Sequence, residues 1–196
     1  MRNLKIERNK WEHILYVPAP EHTLAFSALA PLSTQEILAY YKQGPYELDA
    51  VLAGRSEADL NIARAPGEWT VRQIVHHISD GDDLWAMVIK AALAASGASY
   101  NQEWYSTDNA CFEPLDYAGR SIVPALALFR ATRAHIAQLL SHLPVDAWER
   151  YVIFKSQDMP APAKVTVTFA MTVQAWHALD HIDEIREIYA TSLKDR

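Results

Sequence analysis

The chain has 196 residues, of which 50% are hydrophobic, 21% charged and 10% aromatic, a balance that excludes disorder and predicts a folded globular protein. Its net charge of −6 supplies no basic field for a phosphate backbone, so nucleic acid is not an expected partner. One cysteine, Cys111, rules out an intrachain disulfide and a cysteine-built zinc site; with no apolar h-region and no apolar run of about 18 residues, a cytoplasmic chain with no membrane span is expected.

Residues 1–32 read as an irregular N-terminal extension or arm, because Pro18, Pro20 and Pro31 stop any element longer than a short strand around Trp11, Ile14, Leu15 and Tyr16. The remainder, 33–196, reads as one helical domain. Ser33 with Glu36 has capping-box spacing, and Ile37, Tyr40, Tyr41, Leu48, Val51 and Leu52 continue a helical period. Gly44-Pro45 predicts a kink or short break in this first helix.

The second helix is predicted from Thr70, with Gln73 three later, to about Ala95, its apolar stripe running through Val71, Ile74, Val75, Ile78, Leu84, Trp85, Val88, Ile89 and Ala92. Residues 97–119 read as a loop rich in Tyr, Asn and Asp. The third helix is predicted from about Ser121 to Leu143, ended by Pro144. Residues 151–167 are β-branched, aromatic and proline-punctuated, the signature of an extended excursion or loose hairpin. A fourth helix follows from about Thr168 to Thr191. The expected fold is all-α, a four-helix bundle, an architecture that builds metal sites from side chains facing one another in its core.

The stretch "WHALDH" places His177 and His181 one helical turn apart, about 6 Å along the axis, among Val173, Ala178, Ile182 and Ile185. Eight histidines yield about 0.3 such pairs by chance, so spacing alone decides nothing. Two inward imidazoles would repel if both were protonated; a shared metal ion removes that conflict. The alternative is two neutral histidines satisfied by Asp180, Asp183 or Glu184. A third ligand is expected from "VHHISD": His76 shares a solvated stripe with Arg72, Gln73, Asp80 and Asp83, whereas His77 lies with Ile74, Ile78, Gly81, Leu84 and Val88. Gly81, one turn on, leaves space for a substrate or a neighbouring backbone.

"GEWTVRQIVHHISD" together with "WHALDH" resembles the DinB-like superfamily of four-helix-bundle metalloproteins, especially its YfiT/bacillithiol-transferase branch. The resemblance spans roughly residues 33–190 and leaves out the extension with His13 and His22. It implies that the helix start carries one ligand, His77, and that the late pair supplies His177 and His181. It implies, further, a small-molecule reaction: transfer of a low-molecular-weight thiol to an electrophile, thiol-dependent isomerisation, or metal-assisted hydrolysis.

Three neutral imidazoles with water in the remaining position form the donor set of an open catalytic site, for which Zn²⁺ is the first expectation and Ni²⁺ the second. Glu184, three residues after His181 and seven after His177, is the first candidate general base, with Asp80 and Asp180 behind it; each is equally a candidate to orient a ligand imidazole. Cys111, without a motif around it, reads as an ordinary loop cysteine, so a nucleophilic thiol would arrive as cosubstrate. His13, His22, His135 and His142 read as surface or supporting residues, and Trp69, Trp85 and Trp176 as cavity walls or core. The competing reading is a noncatalytic, metal-binding or stress-associated bundle that forms a homodimer through a helix face.

Overall fold

Two capping boxes start the first two helices where their spacing predicts. In the computed structural model, which describes residues 32–105, 113–157 and 160–192, the Ser33 N–H donates to the Glu36 carboxylate at 2.8 Å and the Glu36 N–H returns to Ser33 Oγ at 3.3 Å, opening α1 (Thr34–Leu52). Thr70 and Gln73 repeat the arrangement at 2.9 and 3.3 Å and open α2 (Val71–Ala94). Ser121 caps α3 (Ile122–Ser141), and α4 spans Val167–Ser192. The expected arm, with His13 and His22, and the loop position of Cys111 lie outside the described residues.

Of the kink or short break expected at Gly44-Pro45, the break does not occur; α1 runs unbroken through both residues. Pro45 has no N–H to give the carbonyl of Tyr41, four residues back, and the Arg133 guanidinium of α3 donates to that carbonyl at 2.6 Å instead. Gly44 makes the approach feasible, since a Cβ there would sit on the Arg133 guanidinium. A tertiary donor thus replaces the helical one.

The reading of 97–119 as loop throughout is corrected by β1 (Ser99–Asn101), which pairs parallel with β2 (Tyr151–Lys155). Three residues are too few to show a strand period in sequence. The predicted hairpin is present: β2 pairs antiparallel with β3 (Ala163–Thr166), giving one small sheet in the order β1-β2-β3. Its inner residue Phe154 stacks on Trp85 of α2 at 5.4 Å, which fastens the sheet to the bundle.

The main helix contacts join α1 to α4 and α3, and α2 to α3 and α4. Around the bundle the order is α1-α4-α2-α3, so α1 and α2, although successive, lie diagonally opposite. Two apolar clusters fill the interior. One holds Tyr41, Trp85, Ile89, Ile136, Met171 and Val173; the other holds Leu48, Ile74, Ile78, Phe129, Ile182 and Ile185. Each such side chain contributes about 1.5–3 kcal/mol by leaving water. Between them lies a polar layer at residues 77–82 of α2 and 174–181 of α4. No helix among the described residues is long and apolar enough to cross a membrane.

Candidate metal centre

Within the polar layer α2 and α4 face each other, and the structure brings His77, His177 and His181 together: one ring nitrogen from each lies within 4.8 Å of the others. The Nε2 atoms of His77 and His177 are 2.9 Å apart. Ring centroids are 4.9 Å apart for His77 with His177, 4.9 Å for His77 with His181, and 4.7 Å for His177 with His181. The helical spacing of His177 and His181, and the placing of His77 rather than His76 on the inner face, are both met by these contacts.

Two of the outer nitrogens have partners of their own. His181 Nδ1 is 2.9 Å from the Glu184 carboxylate, one turn further along α4, and His77 Nδ1 is 3.4 Å from the Tyr105 hydroxyl. His177 Nδ1 is buried and, among the described residues, meets no hydrogen-bonding group. Burial, then the neighbouring His181 and His177, hold His77 well below the ordinary histidine range; burial, then His181 and the Arg133 guanidinium, do the same for His177. Both rings are therefore neutral bases at pH 7, the form a metal needs.

Trp69 closes one side, edge-on to His77 at 4.8 Å and stacked on His181 at 6.2 Å. Of the other two tryptophans, Trp85 is core and Trp176 packs half-buried against the same cluster. The space expected at Gly81 is filled by His177: a Cβ on residue 81 would lie 3.3 Å from the His177 Cε1. His135 and His142 are exposed, as expected.

The solvated stripe assigned to His76 is overturned in part. Asp83 is exposed, but His76 and Arg72 are 2% and 6% exposed, because the chain entering α3 covers them. Both hydrogen-bond the Arg120 carbonyl, Arg72 at 3.0 Å and His76 at 3.3 Å, and Arg72 also donates to Asn61 and Glu57. Asp80 accepts the Tyr117 hydroxyl at 2.5 Å. It lines, with His76 and Arg120, a cavity of about 360 Å³ at the start of α3. Of the candidate carboxylates, Glu184 hydrogen-bonds a cluster histidine directly; Asp80 accepts from Tyr117, and Asp180 is half-buried on α4.

Sequence reasoning missed Tyr105, Tyr117 and Arg133. The two tyrosines are buried in the stretch read as a Tyr-, Asn- and Asp-rich loop, and their only mark in sequence is a phenol that needs a partner once inside. Arg133 stands on the apolar stripe of α3 with Phe129, Ile136 and Leu140, where a charge signals a buried counter-ion. That partner is Asp82, at 2.5 and 3.0 Å, beside the site in the same polar layer.

A four-helix bundle whose middle layer gathers three imidazoles is a helical protein carrying the donor set for one divalent cation. The chain belongs to the DinB superfamily, whose sequence pattern matches residues 40–185. It is 25% identical over 158 residues, 79% of this chain and 83% of the relative, to a Geobacillus kaustophilus protein named "Putative metal-dependent hydrolase". A protein of the same name from Geobacillus thermodenitrificans is 24% identical over the same shares. Among solved structures, YfiT from Bacillus subtilis, described as "a probable metal-dependent hydrolase with an unusual four-helix bundle topology", superimposes with a TM-score of 0.73 at 22% identity. The match covers 91% of this chain and 98% of that one.

Proposed function

We propose that this protein is a metal-dependent enzyme in which His77, His177 and His181 hold one divalent cation, zinc or nickel, and that it delivers water or a low-molecular-weight thiol to an electrophilic small molecule. The convergence of three ring nitrogens within 4.8 Å carries this reading.

The donor set fits a cation. A carboxylate only accepts, so the Glu184 contact holds the His181 proton on Nδ1 and leaves Nε2 bare. Across the 2.9 Å contact between His77 and His177, one nitrogen at most carries a proton. Several lone pairs thus converge with too few protons among them, and a single cation satisfies them together. When bound, such an ion supplies a Lewis acid that lowers the pKa of water or thiol at its open position to near neutrality.

The chain's own residues do the rest. Glu184 fixes the His181 tautomer. Trp69 screens two of the imidazoles from solvent. Burial keeps His77 and His177 unprotonated in mild acid. Hydrolysis is favoured by the names of the relatives; thiol transfer is supported by the all-nitrogen site, which contributes no thiolate and so leaves room for one from a cosubstrate.

Elemental mass spectrometry of untagged protein is expected to find about one zinc or nickel per chain, lost in His77→Ala, His177→Ala and His181→Ala. No metal in the wild type, and no uptake when either ion is offered, overturns the proposal. Assays pairing electrophiles with water or with thiols then separate hydrolysis from transfer; a loaded protein that turns over neither is a noncatalytic metal-binding bundle.

A further inference from the structure

Asp80 and Arg120 line one cavity with opposite charge and do not pair with each other. The cavity, about 360 Å³, lies between α2 and the start of α3, and none of the three clustered histidines lines it. Hydrogen bonds to the main chain fix its floor: His76, 2% exposed, meets the Arg120 carbonyl at 3.3 Å, and Ser79, 1% exposed, donates to the Ala125 carbonyl at 2.8 Å. Pro124 and Leu128 supply an apolar wall, and Leu128 is left 39% exposed there. A volume of roughly 300–1,000 Å³ with apolar walls and a few convergent polar groups is the form of a small-molecule site.

Tyr117 sets the spacing of the two charges. Its hydroxyl donates to Asp80 Oδ2 at 2.5 Å, while the Arg120 guanidinium stands over the face of the same ring, 5.6 Å from its centre. The ring is 1% exposed, so the spacer is held by the protein around it. Among the described residues no cation pairs with Asp80 and no carboxylate with Arg120. The carboxylate keeps acceptor sites beyond the one Tyr117 fills, and the guanidinium keeps its fork of donors. Opposite charges held a ring apart are complementary to a molecule that carries both charges a bond or two from each other. The apolar wall asks for a hydrocarbon part as well.

We propose that this cavity binds a small α-amino acid with an apolar side chain, its ammonium on Asp80, its carboxylate on the Arg120 fork and its side chain against Pro124 and Leu128. Guanidinium and carboxylate meet in such pairs through two parallel hydrogen bonds, which fixes the orientation of the ligand. The site stands beside the metal centre, on the flank of α2 that carries His76 and Asp80, and holds whether or not the histidines take a cation.

Amide chemical-shift mapping on the full chain, with L-leucine as the probe, tests the proposal. Saturable shifts are expected around residues 76–80 and 120–128 at about 1 mM leucine, and equally in protein treated with a chelator. Leucinamide, which lacks the carboxylate, and α-ketoisocaproate, which lacks the ammonium, are each expected to bind about 10-fold more weakly or worse. Each variant should then erase one distinction: Arg120→Gln that between leucine and leucinamide, Asp80→Asn that between leucine and the keto acid. The comparison of probes on the wild type stands without the variants. No saturable shift below about 10 mM leucine, equal binding of the three probes, or shifts that centre on 177–181 and vanish on chelation overturn the proposal. Weakening of all three probes alike by each variant overturns it too. The expected pattern in a chain that takes up no metal upholds it and leaves the metal reading to fail alone.

Discussion

Arg133 donates to the Tyr41 carbonyl at 2.6 Å, and that carbonyl is the one Pro45 leaves without its helical donor. The same guanidinium grips Asp82 through two nitrogens, donates to the Gln174 carbonyl at 2.6 Å, and lies 4.3 and 4.6 Å from the rings of Tyr41 and Phe129. One side chain thus ties α1, α2 and α4 to α3 at the level of the three histidines.

Arg133→Met removes the cation and leaves Asp82, 1% exposed, without its charge partner. Breaking one half of a buried pair costs about 3–5 kcal/mol. Urea denaturation should show a loss of that size, and Arg133→Met with Asp82→Asn should lose less than Arg133→Met alone. A change under about 1 kcal/mol in the single variant would contradict this account of the polar layer.

The three histidines are legible in sequence because each obeys a local rule: His177 and His181 by their four-residue spacing, His77 by sharing a face with Ile74, Ile78 and Gly81. What is not legible is nonlocal. Tyr105 meets His77 across 28 residues that take in the rest of α2 and β1, and Arg133 finds Asp82 across 51. The solvated-stripe reading of His76 fails because the segment around Arg120 lies over it. The helix break at Gly44-Pro45 fails because a donor from another helix replaces the missing amide. In each case propensity and period are sound, and a contact distant in sequence overrides them.

Glu184 accepts from His181 Nδ1 at 2.9 Å with both side chains largely buried, at 12% and 14% exposure. Glu184→Gln keeps the shape and removes the charge, so zinc affinity should fall about 10- to 100-fold while the fold is retained. Chelator competition alongside circular dichroism measures both. Affinity within about twofold of wild type would show that the carboxylate does not tune the ring.

Gly81 abuts His177 closely enough that an added methyl would stand 3.3 Å from Cε1. Gly81→Ala therefore forces the imidazole to shift by a few tenths of an ångström. We expect weaker zinc binding with little loss of helix, since alanine favours the helical backbone by about 1 kcal/mol over glycine. Unchanged affinity on isothermal titration would mean that His177 has room to yield.

The Tyr189 hydroxyl is buried with no hydrogen-bonding group to meet it among the described residues, while Arg55 sits 3.9 Å over the ring. Burial pushes its pKa up to about 12, so the group stays protonated. Tyr189→Phe keeps the ring under Arg55 and deletes an unmet polar atom. The variant should be neutral to about 1 kcal/mol more stable. A loss of more than about 1 kcal/mol in denaturation would reveal a partner for the hydroxyl.

Stability of the metal-free protein should depend on pH through His77 and His177. Both have folded-state pKa values well below the unfolded value of about 6.5, chiefly because they are buried. Above pH 6.5 both states leave these rings neutral, and the pair adds no pH dependence. As pH falls below 6.5 the unfolded chain takes up protons that the folded chain refuses, so stability is lost between the unfolded and the folded pKa. The slope approaches about 1.4 kcal/mol per pH unit for each ring. Urea midpoints of chelator-treated protein from about pH 8 to about pH 5.5 should decline across the lower half of that range, and less steeply in His177→Leu. A flat profile would mean that the imidazoles charge inside the fold, which is incompatible with the close convergence of ring nitrogens from which the metal reading is built.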